Sequence, residues 1–108
     1  MTEPDLATLF ARAREVQARI AEVQRELAMR RLEGQAGGGM VTAVVSGALR
    51  VLEVRIEPAL LAGGDREMLQ DLVAAAVNAA LESAQRLVQE ELQRAAGGPL
   101  PAPPGTRT

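Results

Sequence analysis

In the stretch "EGQAGGGMV", residues 33 to 41, Gly34 and Gly39 stand five positions apart, like the two glycines of a phosphate-cradling loop G-x-x-x-x-G-K-[ST]. Such a loop needs a Lys for the outer phosphates and a hydroxyl for magnesium, and the next two positions hold Met40 and Val41. It also opens a helix, whereas Gly39 runs into "MVTAVVSG", where Val41, Thr42, Val44 and Val45 favour a strand. The glycines are therefore expected in a hairpin loop, where they supply left-handed backbone at no steric cost. Glu53 and Glu57, on one strand face with Arg55 between them, have the look of a general acid and base. With no partner nucleophile, a solvated sheet face is the expected reading.

The 108 residues include no Cys and no His, so disulfides, thiolate nucleophiles, imidazole bases and His/Cys zinc sites are excluded. Phe10 is the one aromatic, which removes the stacking platforms that hold single-stranded nucleic acid. The start "MTEPDLATLF" lacks a basic leader region. The longest apolar stretch, "LVAAAVNAAL" at 72 to 81, falls short of the roughly 18 residues a membrane span requires. A single cytosolic domain is expected, with no enzyme activity, cofactor, small-molecule substrate or membrane contact.

What remains for chemistry is arginine. All twelve cations are Arg, the better phosphate fork of the two basic side chains, although the net charge is −2. Arg12, Arg14, Arg19, Arg25, Arg30 and Arg31 lie together against Glu15, Glu22 and Glu26, a local charge of +3 between residues 12 and 31. From 65 to 96, six acids against Arg66, Arg86 and Arg94 give a local −3. The six Arg of the basic segment are the candidates for contacts to phosphate.

The basic segment sits on a heptad pattern. Leu6, Leu9, Ala13, Val16, Ile20, Val23 and Leu27 repeat in steps of three and four, which predicts an amphipathic helix from about residue 5 to 31. At 1.5 Å per residue it would be about 40 Å long, more than a globule of this size is wide, so it must project or pair. On this helix Arg12, Arg19 and Arg30 flank the apolar seam, where interhelical ion pairing to an acidic partner competes with a phosphate role. Arg14 and Arg25 point away from the seam and have no acid four residues before them, so they are the better phosphate candidates. Glu15 with Arg19, Glu26 with Arg30, Glu82 with Arg86 and Glu90 with Arg94 have the spacing of stabilising intrahelical pairs.

The period then changes. "LEGQA", "MVTAVVSG" and "RVLEVRIE" predict three antiparallel strands between residues 32 and 57, ended by Pro58. "ALLAGG" leads to Asp65, a helix N-cap, and a second long helix follows to about residue 96. Its middle, "AAAVNAA", is small enough for a neighbouring backbone to come close, and Asn78 within it is expected to be a buried amide or a register-fixing residue. Four prolines in "PLPAPPGTRT" make residues 97 to 108 a flexible Pro-rich tail outside the core. The expected fold is α+β, in the order α-β-β-β-α. Two open sheet edges and two over-long helices ask for a dimer with joined sheets.

"GMVTAVVSG" (39 to 47), "VRIEPALL" (54 to 61) and above all "DREMLQDLVAAAVNAA" (65 to 80) resemble the YbaB/EbfC family of bacterial nucleoid-associated proteins. "REVQARIAEVQREL" resembles that family's first helix and "LPAPPG" its proline-rich ending. The resemblance implies a homodimer with joined central sheets and tweezer-like helices, which binds double-stranded DNA in the nucleoid with weak sequence preference. It implies no catalysis and no cofactor, and a glycine loop that merely connects strands. The acidic net charge points to an alternative, a dimeric protein-interaction scaffold with negligible DNA binding.

Overall fold

Alternation of helical and strand periods along the chain produces six elements. In the computed structural model, which describes residues 5–97, they are α1 (Leu6–Ala28), β1 (Arg31–Ala36), β2 (Val41–Ser46), β3 (Val51–Ile56), α2 (Pro58–Ala62) and α3 (Arg66–Ala95). The strands form one antiparallel sheet in the order β1-β2-β3. The expected Pro-rich tail lies outside the described residues, apart from Gly97.

Both long helices are capped by acids. The Asp5 carboxylate accepts the Thr8 N–H at 2.9 Å, and Asp65 accepts the Met68 N–H at 3.0 Å, satisfying donors that the first turn leaves free. Hydrogen bonds from Thr8, side chain before backbone, hold the Asp5 carboxyl below its usual range. The cap is thus complete above the ordinary carboxylate pKa and is lost as pH falls through the lowered one. α1 stops at Ala28, so Arg30 falls in the connection and Arg31 opens β1, a correction to the helix expected through residue 31. The apolar seam ends at Leu27, and Arg31 is needed in the sheet opposite Ser46. "PALLA", expected as a plain connection, forms the short helix α2 with Pro58 in its first turn and Leu60 buried.

β2 is buried along its whole length. Val41, Ala43 and Val45 pack against Ala76, Ala80 and Ala84 of α3, all six fully buried. Gly34 of β1 permits this close approach: a Cβ there would clash with the backbone N of Ala80 and lie 2.6 Å from the Ala76 carbonyl oxygen. Glycines 37 to 39 have φ between 65° and 95° and form the β1–β2 turn, as the hairpin reading requires. Asn78, expected to be buried, is exposed, because the sheet-facing side of α3 is carried by the alanines around it.

α3 lies over β1 and β2 and barely touches β3, so Val51 and Leu52 are nearly half exposed at 49% and 47%. α1 buries Leu27 alone; Leu6, Leu9, Phe10 and Val16 stay exposed. A radius of gyration of 20.7 Å, against about 13 Å for a compact chain of this length, reflects the projecting helices.

Leu49, at the tip of the β2–β3 hairpin, is the one non-glycine among the described residues with positive φ, at 62°. Left-handed backbone costs an L-residue with a bulky side chain about 1–2 kcal/mol, and Asn tolerates it better. Leu49→Asn is therefore expected to stabilise the fold by about 1 kcal/mol, raising Tm by several degrees in a calorimetric scan. A lowered Tm would mean that Leu49 contributes more by packing than its backbone costs.

Candidate nucleic-acid interface

Strand order fixes where the cations fall. β1 leaves α1 and runs to the far end of the sheet, β2 returns, and β3 runs out again to α2. α1 and the β2–β3 hairpin therefore share one end, while α2 and the start of α3 lie at the other. α3 crosses back over the sheet, and its last turn meets α1, where Ala95, Ala96 and Gly97 line an open groove with Arg12, Glu15, Val16 and Arg19.

Arg12 and Arg19 thus stand on the flank facing α3, as their heptad positions predict. The ion pairs expected of them do not form: among the described residues no carboxylate lies within 4.0 Å of either. Their neighbours are instead the last residues of α3, where free carbonyls put the negative end of the helix dipole. Of the four intrahelical pairs expected, none is made. Arg94 pairs with Glu91, one residue closer, at 2.6 Å, and Arg30 lies outside the helix altogether.

Arg14 and Arg25 are exposed and make no ion pair among the described residues. Eleven residues separate them, three helical turns, so they share one face of α1 about 16 Å apart. Glu22, one turn before Arg25, shares this outward sector, with Glu15 and Glu26 farther round toward Arg12 and Arg19, and neither Arg14 nor Arg25 has an acid four residues before it.

Arg31 is different. It leaves the helix and donates to Glu53 at 3.1 Å across β2, while Arg55 donates to Glu33 at 2.9 Å and lies 3.7 Å from Glu53. These cross-strand pairs sit over the outer side of β2, where Val44 is buried. They remove the acid-base reading of Glu53, whose carboxylate is held between two guanidinium groups. All four side chains are substantially exposed, so each pair contributes no more than about 1 kcal/mol.

The model of the YbaB/EbfC DNA-binding family matches residues 2–99. The chain belongs to that family. Among relatives, a nucleoid-associated protein of Chlorobium phaeobacteroides is 47% identical over 100 residues, spanning 93% of this chain and 88% of its own. A nucleoid-associated protein of Rhodococcus jostii is 39% identical over 107 residues, with 95% of each chain aligned. The crystal structure of an uncharacterized protein of Helicobacter pylori shares the fold at 18% identity and a TM-score of 0.69, over 81% of this chain and 91% of that one. Among the described residues no helix is long and apolar enough to cross a membrane, and no three side chains of metal-ligating type cluster together.

Arg50 had no signal in the sequence. It is a lone cation in a hairpin, and only the strand register carries it to the end of the sheet from which α1 departs.

Proposed function

We propose that the protein is a nucleoid-associated, cytoplasmic DNA-binding protein, a homodimer that holds duplex DNA by Arg–phosphate contacts with little sequence demand. The observation that carries the reading is the outer face of α1, where Arg14 and Arg25 are exposed and make no ion pair among the described residues, on a helix that stands clear of the sheet. Family membership supplies the class of partner. With net charge −2 the chain as a whole repels a polyanion, so local clusters of cations must hold it. Helix faces carrying phosphate-directed cations position a protein on a duplex without reading bases.

Dimerisation is supported by β3, an edge strand with apolar side chains that α3 leaves uncovered. Light scattering after gel filtration should give twice the 11.4 kDa of one chain; a stable monomer at micromolar concentration would contradict the assembly.

The decisive experiment is a titration with duplex DNA of unrelated sequences at about 50 and 200 mM salt. Micromolar-range binding that fades with salt at a slope of about −0.9 per phosphate contact is expected. No binding at the lower salt would favour the protein-interaction scaffold, the reading that the acidic isoelectric point of about 5.2 supports.

A further inference from the structure

We propose that Arg30, Arg31 and Arg50 form a second phosphate-contacting patch at the base of α1, separate from the outer helix face and gripping the same duplex. The proposal rests on the DNA-binding reading above and assigns it a further site.

The patch is assembled by the hairpin. Gly47 presses its backbone against the last turn of α1, since a Cβ there would clash with the Leu27 carbonyl oxygen. Its N–H donates to the Arg30 carbonyl at 3.2 Å, and the Arg30 N–H donates to the Leu27 carbonyl at 3.0 Å. The helix end, the connection and the hairpin are thereby tied together. One residue earlier, Ser46 pairs with Arg31 on one side and donates its N–H to the Arg50 carbonyl at 2.9 Å on the other. Arg31, Ser46 and Arg50 therefore stand abreast across the end of the sheet, which sets the two Arg backbones about 10 Å apart at ordinary strand spacing. The Ser46 hydroxyl accepts the Ala48 N–H at 3.1 Å and stiffens the turn.

All three guanidinium-bearing residues are exposed, and neither Arg30 nor Arg50 has an ion-pair partner among the described residues. The acids bordering the patch are Glu53, shared between Arg31 and Arg55, Glu26 in the turn of α1 before Arg30, and Glu82 of α3, which lines a groove with Leu49 in the company of Arg86. Glu33 belongs to the middle of the sheet, opposite Val44, and Glu57 follows β3 at the far end. Arg25, in the last turn of α1, links the patch to the outer face. A polyanion fits an end where three close cations outnumber the acids free to repel it, since Glu53 is already held by Arg31 and Arg55; phosphate oxygens accept from the Arg forks without reading bases.

The test is fluorescence anisotropy of the full-length chain on a short labelled duplex at about 50 mM salt. Arg50→Glu is compared with Arg66→Glu, the same change of charge at the opposite end of the sheet, and with Glu53→Gln, which releases Arg31. Arg50→Glu should weaken binding about tenfold, Arg66→Glu by no more than about twofold, and Glu53→Gln should tighten it several-fold. Thermal melts should match the parent; if Arg50→Glu melts early, Arg50→Gln carries the same comparison. Equal losses for the Arg50 and Arg66 variants, or weaker binding by Glu53→Gln, would overturn the patch while leaving DNA binding intact. A parent chain that fails to bind would overturn the DNA reading itself, and the patch with it.

Discussion

Gly34→Ala should leave little folded protein. The added methyl would press on the Ala80 nitrogen and stand 2.6 Å from the Ala76 oxygen and 2.8 Å from the Ala79 carbonyl carbon. All three are backbone atoms of a helix, so no side-chain rotation relieves the clash, and α3 must lift off β1. Lifting it opens the layer in which Ala76, Ala80 and Ala84 meet Val41, Ala43 and Val45. Lost packing on both sides should cost more than about 3 kcal/mol, against the roughly 5–15 kcal/mol that holds a domain of this kind together. The comparison is Gly38→Ala, where no atom lies within 4 Å of the new methyl and only the positive φ of 68° is penalised, at about 1 kcal/mol. Circular dichroism melts of the two variants make the measurement. A Gly34→Ala protein melting within a few degrees of the parent would show that α3 can shift over β1 at small cost.

That glycine shows where sequence reading stops. The short side chains of "AAAVNAA" announce that some backbone comes close to the second helix, and they are legible because the pattern is local. Which backbone comes close depends on α3 lying over β1, a contact between positions more than forty residues apart, and no period records it. The elements themselves were readable: heptad steps from Leu6 to Leu27, strand alternation in "RVLEVRIE" and the Asp65 cap all appear where expected. The end of α1 was not, because Met29, Arg30 and Arg31 suit a helix and leave it only so that Arg31 can meet Ser46. Charged side chains were misread for the same reason. Intrahelical spacing suggested partners for Arg19, Arg30, Arg86 and Arg94, yet three of the four ion pairs run between residues of different strands or along β3, and Arg94 takes a nearer acid. Exposed pairs are worth so little that tertiary proximity easily outweighs helical spacing.

The functional claim is sharpest in the double charge reversal Arg14→Glu with Arg25→Glu. Both residues are exposed and free of ion pairs among the described residues, so the fold should lose nothing measurable and the melt should overlay that of the parent. DNA binding should fall about 100-fold at low salt, because each protomer loses two phosphate contacts and gains two repelling charges. The loss should be the same on every duplex sequence, as phosphate contacts demand, and the salt slope should shrink by about 0.9 for each contact removed. Arg12 and Arg19 make a matched comparison on the same helix: they face the end of α3 across a groove, so reversing them should weaken binding less. If the Arg14/Arg25 variant binds as the parent does, the outer face of α1 is not the contact surface. If its loss depends on sequence, bases are being read, and the picture of a helix laid against phosphates fails. A uniform loss with an unchanged melt leaves the face that points away from the heptad seam as the one the duplex touches.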